Sequence, residues 1–259
     1  MRKFLVAMTG ILLAMAVQAQ TDTTSTVPGL IGPSTSSPKK SKKKDWSKVS
    51  IAGRANDHFM IQMGYDGWGG KPDDIRTKGF SRFLNMYLML DFPFKSDPRF
   101  SVGLGAGIGS SNIYFDKMEP QIAGTTTQLE FKDVKDTTHF KKYKLSNSWV
   151  EAPIEFRYVA DPVHPNKSFK AAIGMKIGTM INAHTKGKNL QNSAGNTINN
   201  YIMKENSKRY FNNLRFAATG RVGYGPFSLY GAYQINSLIK ENVGPQVHPW
   251  SIGLQISGL

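Results

Sequence analysis

The 259-residue sequence predicts an all-β fold: an eight-stranded antiparallel up-and-down transmembrane β-barrel. Three observations carry that prediction. Apolar residues recur at every second position in eight segments, the period of a strand. The positions between them hold Gly, Ala and Ser with isolated charges, not the polar coat of a water-facing sheet. The connections between segments alternate short and long, as in outer-membrane barrels.

Residues 1–19 read as a signal peptide. Arg2 and Lys3 precede an apolar stretch at residues 4–17, and small residues lead to a cut after Ala19. A retained anchor is the alternative, but the stretch is short for a helical span of about 20 residues. The chain has no cysteine, which excludes a lipidated leader, a disulfide scaffold and a thiolate metal site.

Residues 20–56 read as a disordered Lys/Ser/Thr/Pro-rich tether, placed in the periplasm by the exported leader. Its basic run is Lys39, Lys40, Lys42, Lys43 and Lys44, with Lys48 beyond. Lipid head groups, cell wall or an acidic protein would suit such a run, and so would a role as solvated spacer. Part of the formal net charge of +15 therefore sits in the leader and the tether. Export argues against nucleic acid as a partner.

Residues 57–259 form the predicted barrel. The alternating segments are 58–66, 84–92, 100–109, 148–158, 169–181, 214–224, 227–235 and 250–256. In the second, Leu84, Met86, Leu88, Leu90 and Phe92 alternate with Asn85, Tyr87, Met89 and Asp91. In the third, every intervening position from Gly103 to Gly109 is glycine, which makes room for Tyr87, Met89 and Trp149 in a narrow interior. The apolar set thus faces lipid and the other set faces the lumen. The short connections are 94–99, 160–168 and 225–226, and the long ones 67–81, 116–147, 184–213 and 236–249. Aromatic residues gather at both ends. Phe92, Phe94, Phe100, Tyr158, Phe169, Tyr224 and Phe227 lie beside short turns. Tyr65, Trp68, Phe80, Phe83, Tyr114, Phe115, Tyr210, Phe211 and Trp250 lie beside long loops, giving two expected interfacial girdles.

By parity, Asp91, Glu151, Glu155, Arg157, Lys176, Arg215 and Arg221 point inward, with Asp66 as a further acid. Charges in so narrow a space must be paired, so the expected arrangement is an ion-pair network that plugs the lumen. Glu151 and Glu155 on one face mimic a catalytic carboxylate couple, but the neighbouring bases favour charge balance. The loop basic patch comprises Lys186, Lys188, Lys204, Lys208 and Arg209, suited to lipopolysaccharide phosphates. No catalytic or metal residue is assigned, and no cofactor. A lipid-modifying enzyme would need a Ser–His pair, for which His184 beside Thr185 or Ser193 is the least poor candidate. The glycine run at 103–109 mimics a dinucleotide loop but occupies a strand and opens no helix.

Residues 149–158 (WVEAPIEFRY) resemble a strand of the PorT-like outer-membrane β-barrel family of Bacteroidetes. Residues 102–116 are similar to that family's glycine-rich strand, and residues 229–254 to its closing hairpin. The resemblance implies an outer-membrane location and connects the chain with type IX secretion. One departure is the C-terminus, Ser257-Gly258-Leu259, where many outer-membrane proteins end in an aromatic residue.

The expected function is structural or partner-binding: a plugged outer-membrane barrel whose loops meet outer-membrane lipid, lipopolysaccharide or other envelope or secretion-machine proteins. Two alternatives stay open. One is a small pore or lipid-modifying barrel enzyme; the other is a soluble periplasmic barrel that binds an apolar ligand.

Overall fold

The computed structural model describes residues 58–258. The expected signal peptide and tether, including Lys39, Lys40, Lys42, Lys43 and Lys44, lie outside the described residues.

Eight strands close into a ring. They are β1 (Phe59–Gly69), β2 (Arg82–Pro93), β3 (Phe100–Phe115), β6 (His139–Val159), β7 (Phe169–Gln191), β9 (Leu214–Tyr224), β10 (Phe227–Gln234) and β11 (His248–Ser257). Each pairs antiparallel with its neighbours in chain order, β6 meets β7, and β1 closes on β11. Closure leaves no sheet edge within the ring, the condition lipid imposes on a strand-built span. The remaining strands, β4 (Met118–Pro120), β5 (Phe131–Asp133) and β8 (Thr197–Asn206), lie in the long connections.

The alternation sets the two faces as predicted. On β2, Phe83, Tyr87 and Met89 are buried, whereas Leu84, Met86, Leu88, Leu90 and Phe92 are exposed. The same exposed apolar stripe continues through Ile154, Ile173, Ile177, Val222, Leu229 and Leu254 around the ring. Leu88 and Ile173, about two-thirds exposed, would be costly in water; against lipid they are in their proper solvent. The soluble-barrel alternative fails on this belt.

The glycines on β3 show how the interior is fitted. A Cβ on Gly105 would lie 2.2 Å from the Met89 sulfur, and one on Gly103 would lie 2.5 Å from the Arg157 guanidinium. Tyr87 and Met89 thus occupy space that only a residue without a side chain leaves open.

The long connections differ from the sequence expectation, which treated 116–147 and 184–213 as loops. A membrane-crossing strand needs about 9–11 residues. Strands β6 and β7 run to 21 and 23 residues, so about half of each stands beyond the lipid belt. There β8 pairs with the end of β7, from His184↔Asn206 to Gln191↔Thr197. Lys-rich sequence hid this extension, because outside lipid the outward face of a strand takes charges.

A β-bulge marks the change of environment. Trp149 pairs with Met180 but Ser148 pairs with Asn182, so β7 carries one extra residue at Ile181. Below it Lys176, Gly178 and Met180 are buried; above it Ala183, Thr185 and Gly187 are. The bulge therefore swaps which parity of β7 points inward.

Candidate functional site

At the level of Glu151 the lumen is a packed ionic cluster. Glu151 on β6 accepts hydrogen bonds from Lys176 Nζ at 3.2 Å on β7, Arg215 Nη1 at 2.8 Å on β9, and the Tyr87 hydroxyl on β2. Lys176 is 2 % exposed and Glu151 1 %. The Arg215 guanidinium also lies over the Trp149 ring, 4.5 Å from its centroid. One carboxylate thus holds groups from three other strands.

A second cluster lies towards the short turns. Glu155 accepts from Arg157 at 2.9 Å and Arg221 at 3.1 Å. Arg157 also reaches Asp91 at 3.4 Å, and Asp91 accepts from Ser101 at 2.7 Å. Glu155 lies four positions on from Glu151, about 13 Å along a strand. Each answers to its own bases, so they do not form a carboxylate couple around one reacting atom.

Asp66 lies within the field of Lys176 and Arg215 and accepts from Ser251 at 2.5 Å. Beside it runs a neutral amide chain: Asn85 donates to Gln62 at 3.1 Å, and Gln62 donates to Gln255 at 2.9 Å. Sequence reasoning named the charges but not this chain, nor Lys170, which also faces inward and is 3 % exposed. Strand parity held the signal for all of them.

Above the bulge the interior changes character. Trp68, Phe115, Phe140, Tyr143, Tyr210, Phe211, Leu238 and Ile239 belong to one buried apolar core. It is assembled from upper strand ends and the long connections, which form a folded crown. Tyr210 donates to the Thr126 carbonyl at 2.7 Å, and Leu129 N–H to the Val243 carbonyl at 2.6 Å, so separate connections are tied together. Five residues expected in the upper aromatic girdle belong inside instead: Trp68, Phe83, Phe115, Tyr210 and Phe211 are all buried. Tyr65, Phe80 and Trp250 do face out, with ring centroids 5.5–5.8 Å apart.

The loop basic patch divides. Lys186, Lys188 and Lys204 stand on paired strands, with Lys186 directly across from both Lys144 and Lys204. Lys208 donates to the Met180 carbonyl at 3.2 Å, and Arg209 stacks on Tyr210 at 5.5 Å. These last two brace the crown. His184 meets Asn182 at 3.4 Å. Among the described residues no cluster of His, Asp and Glu has metal-ligand geometry, and no helix is long and apolar enough to cross a membrane.

A family model described as outer membrane protein beta-barrel domain matches residues 31–241. The chain belongs to this family. The outer-membrane location follows, with the apolar belt in lipid. The match ends before β11, the strand that the structure shows closing the ring on β1. No curated protein matches the chain.

Proposed function

We propose that this outer-membrane barrel is a closed, non-catalytic scaffold that holds a folded crown outside the cell for contact with envelope partners. The carrying observation is the interior itself. Glu151, Lys176, Arg215, Tyr87 and Trp149 meet across the lumen at hydrogen-bond and stacking distance. An eight-stranded barrel is just wide enough for side chains to fill, and a second, apolar core lies above the charges. Each identified lumen carboxylate is engaged with a base or a hydroxyl, which supports balance over chemistry.

Outer-membrane barrels keep short turns in the periplasm and long loops outside. Strand β1 starts at the short-turn end, which supports a periplasmic place for the basic tether. The resemblance to PorT-like proteins makes a secretion machine the favoured setting for the partner.

Reconstitution of the purified chain into planar bilayers tests the closed lumen. No steady unitary conductance is expected from the native protein. Reproducible channels that change on replacing Lys176 and Arg221 with Met would overturn it. Cross-linking from the exposed crown residue Tyr201 in intact cells should capture envelope proteins; their absence would count against the scaffold role.

A further inference from the structure

Two grooves on the outer side of the barrel share a wall. One is apolar, about 570 Å³, and runs among Met63, Leu229, Ile252 and Leu254 on the lipid-facing surface. The other, about 400 Å³, is lined by Lys78, Tyr114, Lys141 and Lys142. Phe80 and Arg82 line both.

The level of this shared wall follows from β2. Its outward residues run Arg82, Leu84, Met86, Leu88, Leu90, Phe92. Arg82 therefore stands one side-chain step above the lipid-facing stripe, where head groups lie. Phe80 is 66 % exposed and packs against Tyr65, an interfacial arrangement.

The cationic side is built against its own repulsion. Lys144 on β6, Lys186 on β7 and Lys204 on β8 form one cross-strand row, and Lys142 stands across from Lys188. Like charges directly opposite one another destabilise a sheet. Burial draws the Lys144 ammonium below its ordinary range; the Lys186 and Arg82 charges push the same way against the Tyr114 phenol. The described residues lining this groove include no carboxylate, and the nearby Asp116, next in sequence to the lining residue Phe115, is engaged by Lys78 at 3.3 Å. Arg82 is held towards Tyr114 at 3.0 Å, which fixes its guanidinium at the join between the grooves.

We propose that the paired grooves seat a phosphorylated lipid of the outer leaflet, with an acyl chain in the apolar groove and its phosphate between Arg82 and Lys142. The lysine row supplies the attracting potential, and the bound phosphate relieves its repulsion. An Arg fork and nearby ammonium groups suit phosphate oxygens. The apolar groove selects phosphate carried on a chain over phosphate in solution. The inference rests on the membrane placement and not on the closed lumen.

The test is native mass spectrometry of the full chain in detergent micelles. The probes are a phosphorylated lipid A-type glycolipid, its dephosphorylated form and inorganic phosphate. The native chain should retain the phosphorylated lipid. The double variant Arg82→Gln, Lys142→Gln should weaken binding by about tenfold or more. Met63→Trp, which fills the apolar groove, should weaken lipid binding to a similar degree. Native heat-modifiable gel mobility certifies that each variant is folded, and the single Lys142→Gln replaces any that is not. Equal binding of the dephosphorylated lipid, unchanged binding by the folded variants, or displacement of the lipid by equimolar inorganic phosphate would each overturn the proposal. Conductance is a separate readout, so failure here leaves the closed lumen standing or falling by itself.

Discussion

In the lower half of β6, Glu151, Glu155 and Arg157 point inward while Ile154 and Phe156 point out. In the upper half of the same strand, Tyr143 and Leu145 point inward while Lys142 and Lys144 point out. The backbone geometry and the period of two are the same in both halves. What differs is the medium against the outer face. Lipid takes the apolar set below and leaves the charges to satisfy one another inside. Water takes the charges above, and the interior becomes an ordinary hydrophobic core. Strand β7 crosses the same boundary with a bulge at Ile181.

The two interiors should fail in different ways. The largest effect is expected from Glu151→Leu, which strips Lys176 and Arg215 of a shared partner. Breaking a buried pair by removing one member costs about 3–5 kcal/mol, because the other charge stays buried. Three strands besides β6 meet at that carboxylate, so the loss should be global. Heat-modifiable mobility should disappear at markedly lower temperature or denaturant. A barrel as stable as the native one would show that the cluster adds little.

The crown should lose its core without taking the barrel with it. Phe211 is fully buried and its bridge to Ile239 joins two connections. Phe211→Ala should cost about 3 kcal/mol, spent on local opening. Limited proteolysis should then cut within residues 184–213 and 236–249 while the heat-modifiable band persists. Simultaneous loss of both would mean that crown and barrel fold as one unit.

This division explains what the sequence made legible. The ring and its facing were readable because Leu84 to Phe92 alternates without interruption, and parity then put Glu151, Lys176 and Arg215 on one side. Parity alone does not give register, so it could not say that Glu151 gathers those bases while Glu155 gathers Arg157 and Arg221. The crown was not readable. Its strand segments at 139–147 and 182–191 invert the polarity of the pattern, and its core joins residues as distant as Trp68 and Val247. Phe211 and Tyr210 could be placed near a membrane interface by their position beside a loop; only the packing shows them inside.

A smaller effect should come from the glycines that fit the lumen. At Gly103 a Cβ would meet Arg157, whose guanidinium is already committed to Glu155 and Asp91. Gly103→Ala should therefore displace that group and cost about 1–3 kcal/mol, the range for overpacking. The comparison is Gly124→Ala in the crown, where the nearest atom to a new Cβ is the Gln121 carbonyl oxygen at 3.2 Å. Denaturation followed by gel mobility should shift for the first and hardly for the second. An equal shift for both would remove the distinction between a tight lumen and an adaptable crown.

The smallest effect concerns acid. In the crown, Asp133 on β5 accepts from Arg76 at 2.6 Å, both side chains being partly open to water. That hydrogen bond, with the Lys135 backbone N–H, holds the Asp133 carboxyl below its ordinary value of 3.8. A depressed carboxyl contributes stability that is present above the unfolded value and is lost as pH falls through the lower folded value. The contact ties the 70–81 connection to β5, so acidification below about pH 4 should loosen that tie first. The lumen carboxylates are sealed by the belt, the crown and their own partners. Hydrogen exchange at Phe131–Asp133 should rise on going from neutral pH to pH 3, after correction for intrinsic rates, while β6 residues 150–157 stay protected. Arg76→Gln should remove most of that acid response. Opening of β6 at the same pH would place the acid-sensitive element in the lumen instead, and would reverse the order of the two regions.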